Sequence, residues 1–257
     1  MDDKVRDDVS KFYGAAAEDP MESLCCAPNY DEAEVAHIPK KVLDISYGCG
    51  SPISLADIKA GEVVADLGSG GGIDCFIAAK LVGKSGRVIG VDMTAEMLKV
   101  ARETAPVVAE NLGYDIVEFE EGFLEDLPIA SGTVDIVTSN CVLNLSPDKG
   151  RVFLEIYRAL KPNGRFCITD VVSEVELPEE VVKDKQMWGE CLSGALTEDA
   201  FKSAAKEVGF KSIKIISKTL YRETKGLRFN SITMVGSKTE KDADSKAASS
   251  CASGGCC

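Results

Sequence analysis

Val64-Ala65-Asp66-Leu67-Gly68-Ser69-Gly70-Gly71-Gly72 decides the fold of this chain. An apolar strand ends in a carboxylate and passes through a glycine-rich turn into Ile73-Asp74-Cys75-Phe76-Ile77-Ala78-Ala79, an apolar helix start. Glycines at such a turn let the backbone bend sharply and approach a nucleotide-like ligand, because no Cβ stands in the way. Asp66 then discriminates among ligands. A dinucleotide would bring its pyrophosphate here, where an aspartate repels it. S-adenosylmethionine has no phosphate and presents an ammonium, which Asp66 attracts. The spacing also departs from G-x-G-x-x-G, since Ile73 stands where that fingerprint's last glycine would be.

Moving outward, Arg87-Val88-Ile89-Gly90-Val91-Asp92 reads as a second buried strand ending in an acid, 22 positions after Gly70. An acid about 20 residues past the glycine turn accepts hydrogen bonds from ribose hydroxyls. Met93 follows, placed to lie against an adenine face. Strands are expected at Glu62–Leu67, Arg87–Asp92, Ile116–Glu120, Val134–Ser139 and Arg165–Val171. The helices between them run over Gly72–Val82, from Thr94 to near Gly113, and over Pro147–Leu160. This alternation with near-continuous apolar strands predicts an α/β, Rossmann-like parallel sheet with helices on both faces. Asn140 ends the fourth strand and so faces the ligand crevice.

Beyond the sheet, Glu179–Glu190 and Glu198–Val208 read as helices, and Lys211–Lys218 and Arg228–Val235 as closing strands. Residues 2–17 form an amphipathic helix with Val5, Val9, Phe12 and Tyr13 on one face. The organisation is then an N-terminal extension (1–60), a cofactor-binding core (61–175), substrate-side helices and closing strands (176–238), and a disordered cysteine-containing tail (239–257).

Composition narrows the function. The 257 residues carry 29 Lys plus Arg against 42 Asp plus Glu, a net charge of −13 with no offsetting basic segment. Nucleic acid and anionic membrane are therefore poor partners. The N-terminus has no apolar signal core and no apolar run is long enough to cross a bilayer, so a cytosolic location is expected. Ten cysteines without a secretion signal do not read as a disulfide scaffold. Cys75 and Cys167 lie in apolar helix and strand segments and read as small buried hydrophobes. Cys141, at the end of the fourth strand, reads as local packing. Cys25, Cys26, Cys49, Cys191 and the tail's Cys251, Cys256 and Cys257 require another explanation.

The chain resembles the arsenite methyltransferases, a branch of the class I S-adenosylmethionine-dependent methyltransferases. The likeness covers about Tyr47 to Lys238. It rests on Tyr47-Gly48-Cys49-Gly50-Ser51-Pro52, Asp66 to Phe76, Val88 to Leu98, Ser139-Asn140-Cys141-Val142-Leu143-Asn144-Leu145-Ser146-Pro147-Asp148-Lys149, Arg158 to Arg165, and Gly189-Glu190-Cys191-Leu192-Ser193-Gly194-Ala195-Leu196. The resemblance implies a seven-stranded sheet whose last strand is antiparallel. It implies that Cys49 and Cys191 bind trivalent arsenic, with Asp66, Gly68, Gly70, Asp92, Met93 and Asn140 around S-adenosylmethionine. Cys25-Cys26 resembles the family's N-terminal cysteines, which can pair with the cysteine at Cys49 before substrate arrives. Many members also carry a third arsenic-binding cysteine ahead of the closing strand's Arg-Phe; here Leu227 occupies that place.

The chemistry agrees with this likeness. Methyl transfer from a sulfonium is an in-line displacement that needs a positioned nucleophile and exclusion of water. Oxygen and nitrogen nucleophiles call for a general base. The single histidine, His37, lies ahead of the core, and Asp170 keeps an acid-base route open. Arsenic held by soft thiolates needs no base, because its lone pair attacks directly. The expected substrate is arsenite as a thiol complex, with a third sulfur from a small thiol or another cysteine and a small-thiol or thioredoxin-type reductant as partner. Two other readings stay open: methylation of another thiol, selenium or organic acceptor, and metalloid binding without turnover. Trp188 reads either as a cover for the substrate pocket or as packing. The cysteine tail reads either as a thiol-gathering arm or as an unstructured end.

Overall fold

The computed structural model describes residues 2–19 and 30–239. Cys25, Cys26 and the tail cysteines lie outside them. Seven strands form one sheet: β1 (Val63–Leu67), β2 (Arg87–Asp92), β3 (Val117–Glu121), β4 (Val134–Asn140), β5 (Leu160–Ser173), β6 (Lys211–Thr224) and β7 (Leu227–Ser237). Their order is β3-β2-β1-β4-β5-β7-β6. The first five pair in parallel, and β7 runs antiparallel between β5 and β6. The reversed last strand is as expected. Successive strands build out from β1 in both directions, so the crevice beyond the carboxyl ends of β1 and β4 is a topological switch point where ligands bind.

The long helices are α1 (Asp2–Glu18), α2 (Ile73–Val82), α3 (Ala95–Leu112), α4 (Lys149–Ala159) and α5 (Glu198–Val208). The two-residue period of the strands sorts their side chains onto two faces. Ala65, Leu67, Val137, Phe166 and Ile168 pack against Phe153 and Ile156 of α4 and Phe201 of α5. Val64, Val88, Ile136 and Cys167 pack with Cys75 and Phe76 of α2 and Leu98 of α3, joined by Ile38, Val42 and Ile53 of the N-terminal extension. Both faces are buried; truncating a fully buried phenylalanine such as Phe153 would cost about 3–5 kcal/mol. A third, smaller cluster gathers at the strands' carboxyl ends, where Val9 of α1 meets Cys141, Leu145, Met187, Cys191 and Phe229.

Several elements differ from the sequence reading, and β5 begins at Leu160 and ends at Ser173 where Arg165–Val171 was expected. The helix expected over Glu179–Glu190 is two short pieces, Glu179–Val182 and Lys185–Gly189. Asp184 restarts the second by accepting from Gln186 N and Met187 N, each at 3.1 Å. The helix expected from Pro147 begins at Lys149, because Asp148 caps it through Arg151 N at 2.8 Å. The closing strands run on into a long hairpin, turned by Lys225 and Gly226 at φ 51° and 73°. His37 is buried beneath α2 with Nε2 2.9 Å from the Phe76 carbonyl, and burial holds its pKa below the ordinary value.

Candidate active site

A cavity opens at the switch point, and Asp66, Gly68, Gly70, Asp92, Met93 and Asn140 all line it. The turn after β1 is held by backbone bonds from Gly68 N and Ser69 N to the Val91 carbonyl, at 2.7 and 3.0 Å. Gly68 has φ +69°, and a Cβ there would lie 2.4 Å from the Val142 methyls, so only glycine fits. Asp92 ties the turn to β2: its two oxygens accept from Gly70 N and Thr94 N, both at 2.8 Å. Asp66 is buried, with the Thr138 hydroxyl at 2.8 Å and the Cys75 thiol at 3.6 Å. Burial, reinforced by Asp74, raises the Asp66 pKa well above the carboxylate range. Burial also raises Asp92, and pushes Asp74 up to about 6.

These groups suit a ligand carrying an ammonium and ribose hydroxyls. Three desolvated carboxylates face one cavity, and a cation entering it would restore the interactions they lost with water. The Ser69 hydroxyl is buried with no hydrogen-bond partner, a polar atom aimed at something a ligand supplies.

Cys141 and Cys191 share one packed cluster, with Cys49 against it, beside the cavity. Cys141 lines the cavity, and the neighbouring Cys191 and Cys49 thiols, then burial, hold its pKa well above the ordinary thiol value. Burial likewise raises Cys49. Cys191 donates its S–H to the Cys141 carbonyl at 2.9 Å. Both Cys141 and Cys191 adopt left-handed backbone, at φ 62° and 60°, an uncommon conformation for non-glycine residues that cluster at functional sites. Asn140 joins the two sides. Its Oδ1 accepts from Cys49 N at 3.0 Å, while its Nδ2 donates to the Gly50 carbonyl at 2.7 Å and to Asp74 at 3.2 Å. Among the described residues no group of His, Cys, Asp or Glu is already arranged as a metal-ion cage, so the thiols must turn to share one centre.

Sequence reasoning assigned Cys141 to packing, and it is buried in the apolar cluster at the strands' carboxyl ends, where Cys191 and Cys49 are also neighbours. The sequence reading passed over Asp74 and Tyr13. Asp74 stands in the first turn of α2, an acidic position that its place beside the glycine turn would have flagged. Tyr13 looked like one more apolar residue of an amphipathic helix, yet it lines the cavity with its hydroxyl 3.9 Å from the Cys191 sulfur. Burial, then Cys191 and Cys141, push its pKa well above the ordinary value. Cys75 and Cys167 are buried as read. Trp188 packs at the thiol cluster and donates to the Leu145 carbonyl at 3.4 Å, and Leu227 packs there too. Asp170 is fully buried beneath the site, accepting from Val171 N and Asn144 N at 2.7 and 3.2 Å.

The family described as "Methyltransferase domain" matches residues 58–209. An arsenite methyltransferase from Halobacterium salinarum is 43% identical over 211 residues, covering 82% of this chain and 53% of that protein. The arsenite methyltransferase of Homo sapiens is 34% identical over 232 residues, covering 85% of this chain and 61% of that protein. The chain thus spans a little over half the length of these curated relatives. The crystal structure of CrArsM, an arsenic(III) S-adenosylmethionine methyltransferase from Chlamydomonas reinhardtii, matches with a TM-score of 0.74 at 38% identity, covering 79% of this chain and 72% of that one. Sequence and fold agree over most of both chains, and the protein belongs to the arsenite methyltransferase family of class I methyltransferases.

Proposed function

We propose that this chain methylates trivalent arsenic, taking the methyl group from S-adenosylmethionine while Cys49, Cys141 and Cys191 hold the metalloid. The observation that carries this reading is the cluster that gathers Cys49, Cys141 and Cys191, with Cys141 on the wall of the cavity that Asp66 and Asp92 line. When bound, the cofactor supplies an electrophilic methyl on a sulfonium. Asp66 and Asp74 receive its ammonium, Asp92 its ribose hydroxyls and Met93 its adenine face, with Gly68 and Gly70 giving the backbone room.

Loading exchanges the hydrogens of the three thiols for arsenic. Each gives its proton to an arsenite hydroxyl, which departs as water, and a sulfur–arsenic bond replaces the oxygen–arsenic bond. No separate base is needed, in keeping with the position of His37 under α2. Soft sulfur donors match a soft centre and leave its lone pair free as nucleophile. Methyl transfer oxidises arsenic to the pentavalent state, so a small thiol or a thioredoxin-type protein would return it to the trivalent one. A cytosolic site of action goes with free thiols at the centre, and no described helix is long and apolar enough to cross a membrane. Incubation with arsenite, glutathione and labelled methyl donor, followed by arsenic speciation, tests the reading. Labelled methylated arsenic is the expected product. S-adenosylhomocysteine formed only with a selenium or organic thiol acceptor would redirect it, and arsenite binding without turnover would end it.

A further inference from the structure

Tyr13 of α1 reaches across the molecule to the loop that carries Cys191. Its hydroxyl donates to the Gly189 carbonyl at 3.0 Å and lies 3.9 Å from the Cys191 sulfur. The thiol's own hydrogen goes to the Cys141 carbonyl. Hydroxyl and sulfur therefore face one another with both hydrogens committed elsewhere. The ring is not needed merely to seat α1 on that loop, because neighbouring Phe12 does so: a Cβ on Gly189 would meet its ring at 3.0 Å. What Tyr13 adds is an O–H, half-buried beside a sulfur. Cys49, by contrast, has its carbonyl and amide bound by Ser231 and Asn140.

We propose that Tyr13 is a positioning residue for the arsenic-loaded site, turning its hydroxyl from the Gly189 carbonyl to donate to the Cys191 sulfur once arsenic has replaced the thiol's hydrogen. This rests on the function proposed above. Loading breaks the Cys191 S–H bond and its hydrogen bond to the Cys141 carbonyl, and leaves the sulfur with lone pairs and no donor. A single rotation about the tyrosine C–O bond supplies one, without moving α1. The bond fixes the direction from which Cys191 holds arsenic, at a residue that also lines the cofactor cavity.

Tyr13→Phe removes the oxygen and keeps the ring. Trp188, the only tryptophan in the chain, packs in the same cluster and gives a fluorescence signal for arsenite titration that needs no turnover. One hydrogen bond predicts that half-saturation with arsenite rises about five- to tenfold in Tyr13→Phe. The dissociation constant for S-adenosylmethionine, measured by calorimetry, is expected to stay within about twofold, a split that loosening of α1 would not produce because Arg6 and Val9 of that helix also line the cofactor cavity. Equal weakening of both ligands would reduce Tyr13 to a packing residue, and an unchanged arsenite titration would overturn the proposal. If the parent protein binds arsenite but forms no methylated product, the proposed function fails while the titration still decides the role of Tyr13. If the parent gives no arsenite response, both fall.

Discussion

Asp66 and Asp92 end adjacent strands, and the turn between their ligand-facing groups is closed by short bonds to the Val91 carbonyl and the Asp92 carboxylate. Cys49, Cys141 and Cys191 have no such local frame. They stand 92 and 50 residues apart, on an extension, a strand end and a loop, and two of them sit in left-handed backbone. One side of the cleft is preformed by strand–turn–helix geometry, and the other is assembled by tertiary packing. Small errors should stay local at the first side and spread at the second. Substitutions that separate cofactor binding from arsenic binding test that difference.

The largest effect is expected from Cys141→Ser. A serine hydroxyl does not replace a thiolate on arsenic, and the loss should exceed the about 10–100-fold that an outer partner of a metal ligand costs. Arsenite methylation, read by speciation, should fall by more than about a hundredfold while S-adenosylmethionine affinity stays within about twofold. The same result is expected for Cys49→Ser and Cys191→Ser. Full activity in Cys141→Ser would return that residue to a packing role.

Asp92→Ala should do the reverse. Losing a carboxylate that accepts charged or polar donors costs about 1.5–3 kcal/mol, or roughly 10–100-fold in cofactor affinity by calorimetry. Arsenite titration of Trp188 should be nearly unchanged; a matching loss there would show that the two sides are not separable. Gly194→Ala tests the assembled side through its backbone. A Cβ at that position would lie 1.9 Å from the Asn144 carbonyl oxygen, so the segment bearing Cys191 must shift. Overpacking of this kind costs about 1–3 kcal/mol, visible as a lower melting temperature, with arsenite affinity falling more than cofactor affinity.

pH offers a gentler probe of the preformed side. Asp74 is pushed up to about 6 and Asp66 is raised as well, chiefly by burial. In the free protein such acids contribute stability that is present below their unfolded pKa and lost as pH rises through the folded value, because the native state there holds protons the unfolded chain has released. A cationic cofactor needs them ionised. The gain in melting temperature from S-adenosylmethionine should therefore be larger at pH 7.5 than at 5.5, and a gain independent of pH would contradict the ammonium assignment. The smallest effect is expected at Lys185→Ala, which removes a 2.6 Å ion pair with Asp8 at the edge of α1. Both partners are largely exposed, so the change in melting free energy should stay under about 1 kcal/mol.

The same contrast explains what the sequence disclosed. The carboxylate before a glycine turn, and the second acid at the end of the next strand, are local signals; β1, β2, α2, α3 and the residues Asp66, Gly68, Gly70 and Asp92 follow from them. Apolar neighbours along the helix start and the fifth strand sorted Cys75 and Cys167 into the core. Cys141 read as packing because its local surroundings are a strand end followed by Val142 and Leu143; that it also neighbours Cys49 and Cys191, distant in sequence, was not legible there. Tyr13 was hidden for the same reason, since helical spacing shows a face but not which loop it touches. Asp184 broke a helix that periodicity alone extended to Glu190, through a capping bond that the pattern of apolar residues does not encode.

X-ray absorption at the arsenic edge, on protein loaded with one equivalent of arsenite and no added thiol, tests the three-thiol site most directly. Cys49, Cys141 and Cys191 predict three sulfur neighbours for arsenic, and two sulfurs with one oxygen in Cys141→Ser. An oxygen-dominated shell in the parent, or a spectrum that Cys141→Ser leaves unchanged, would contradict it.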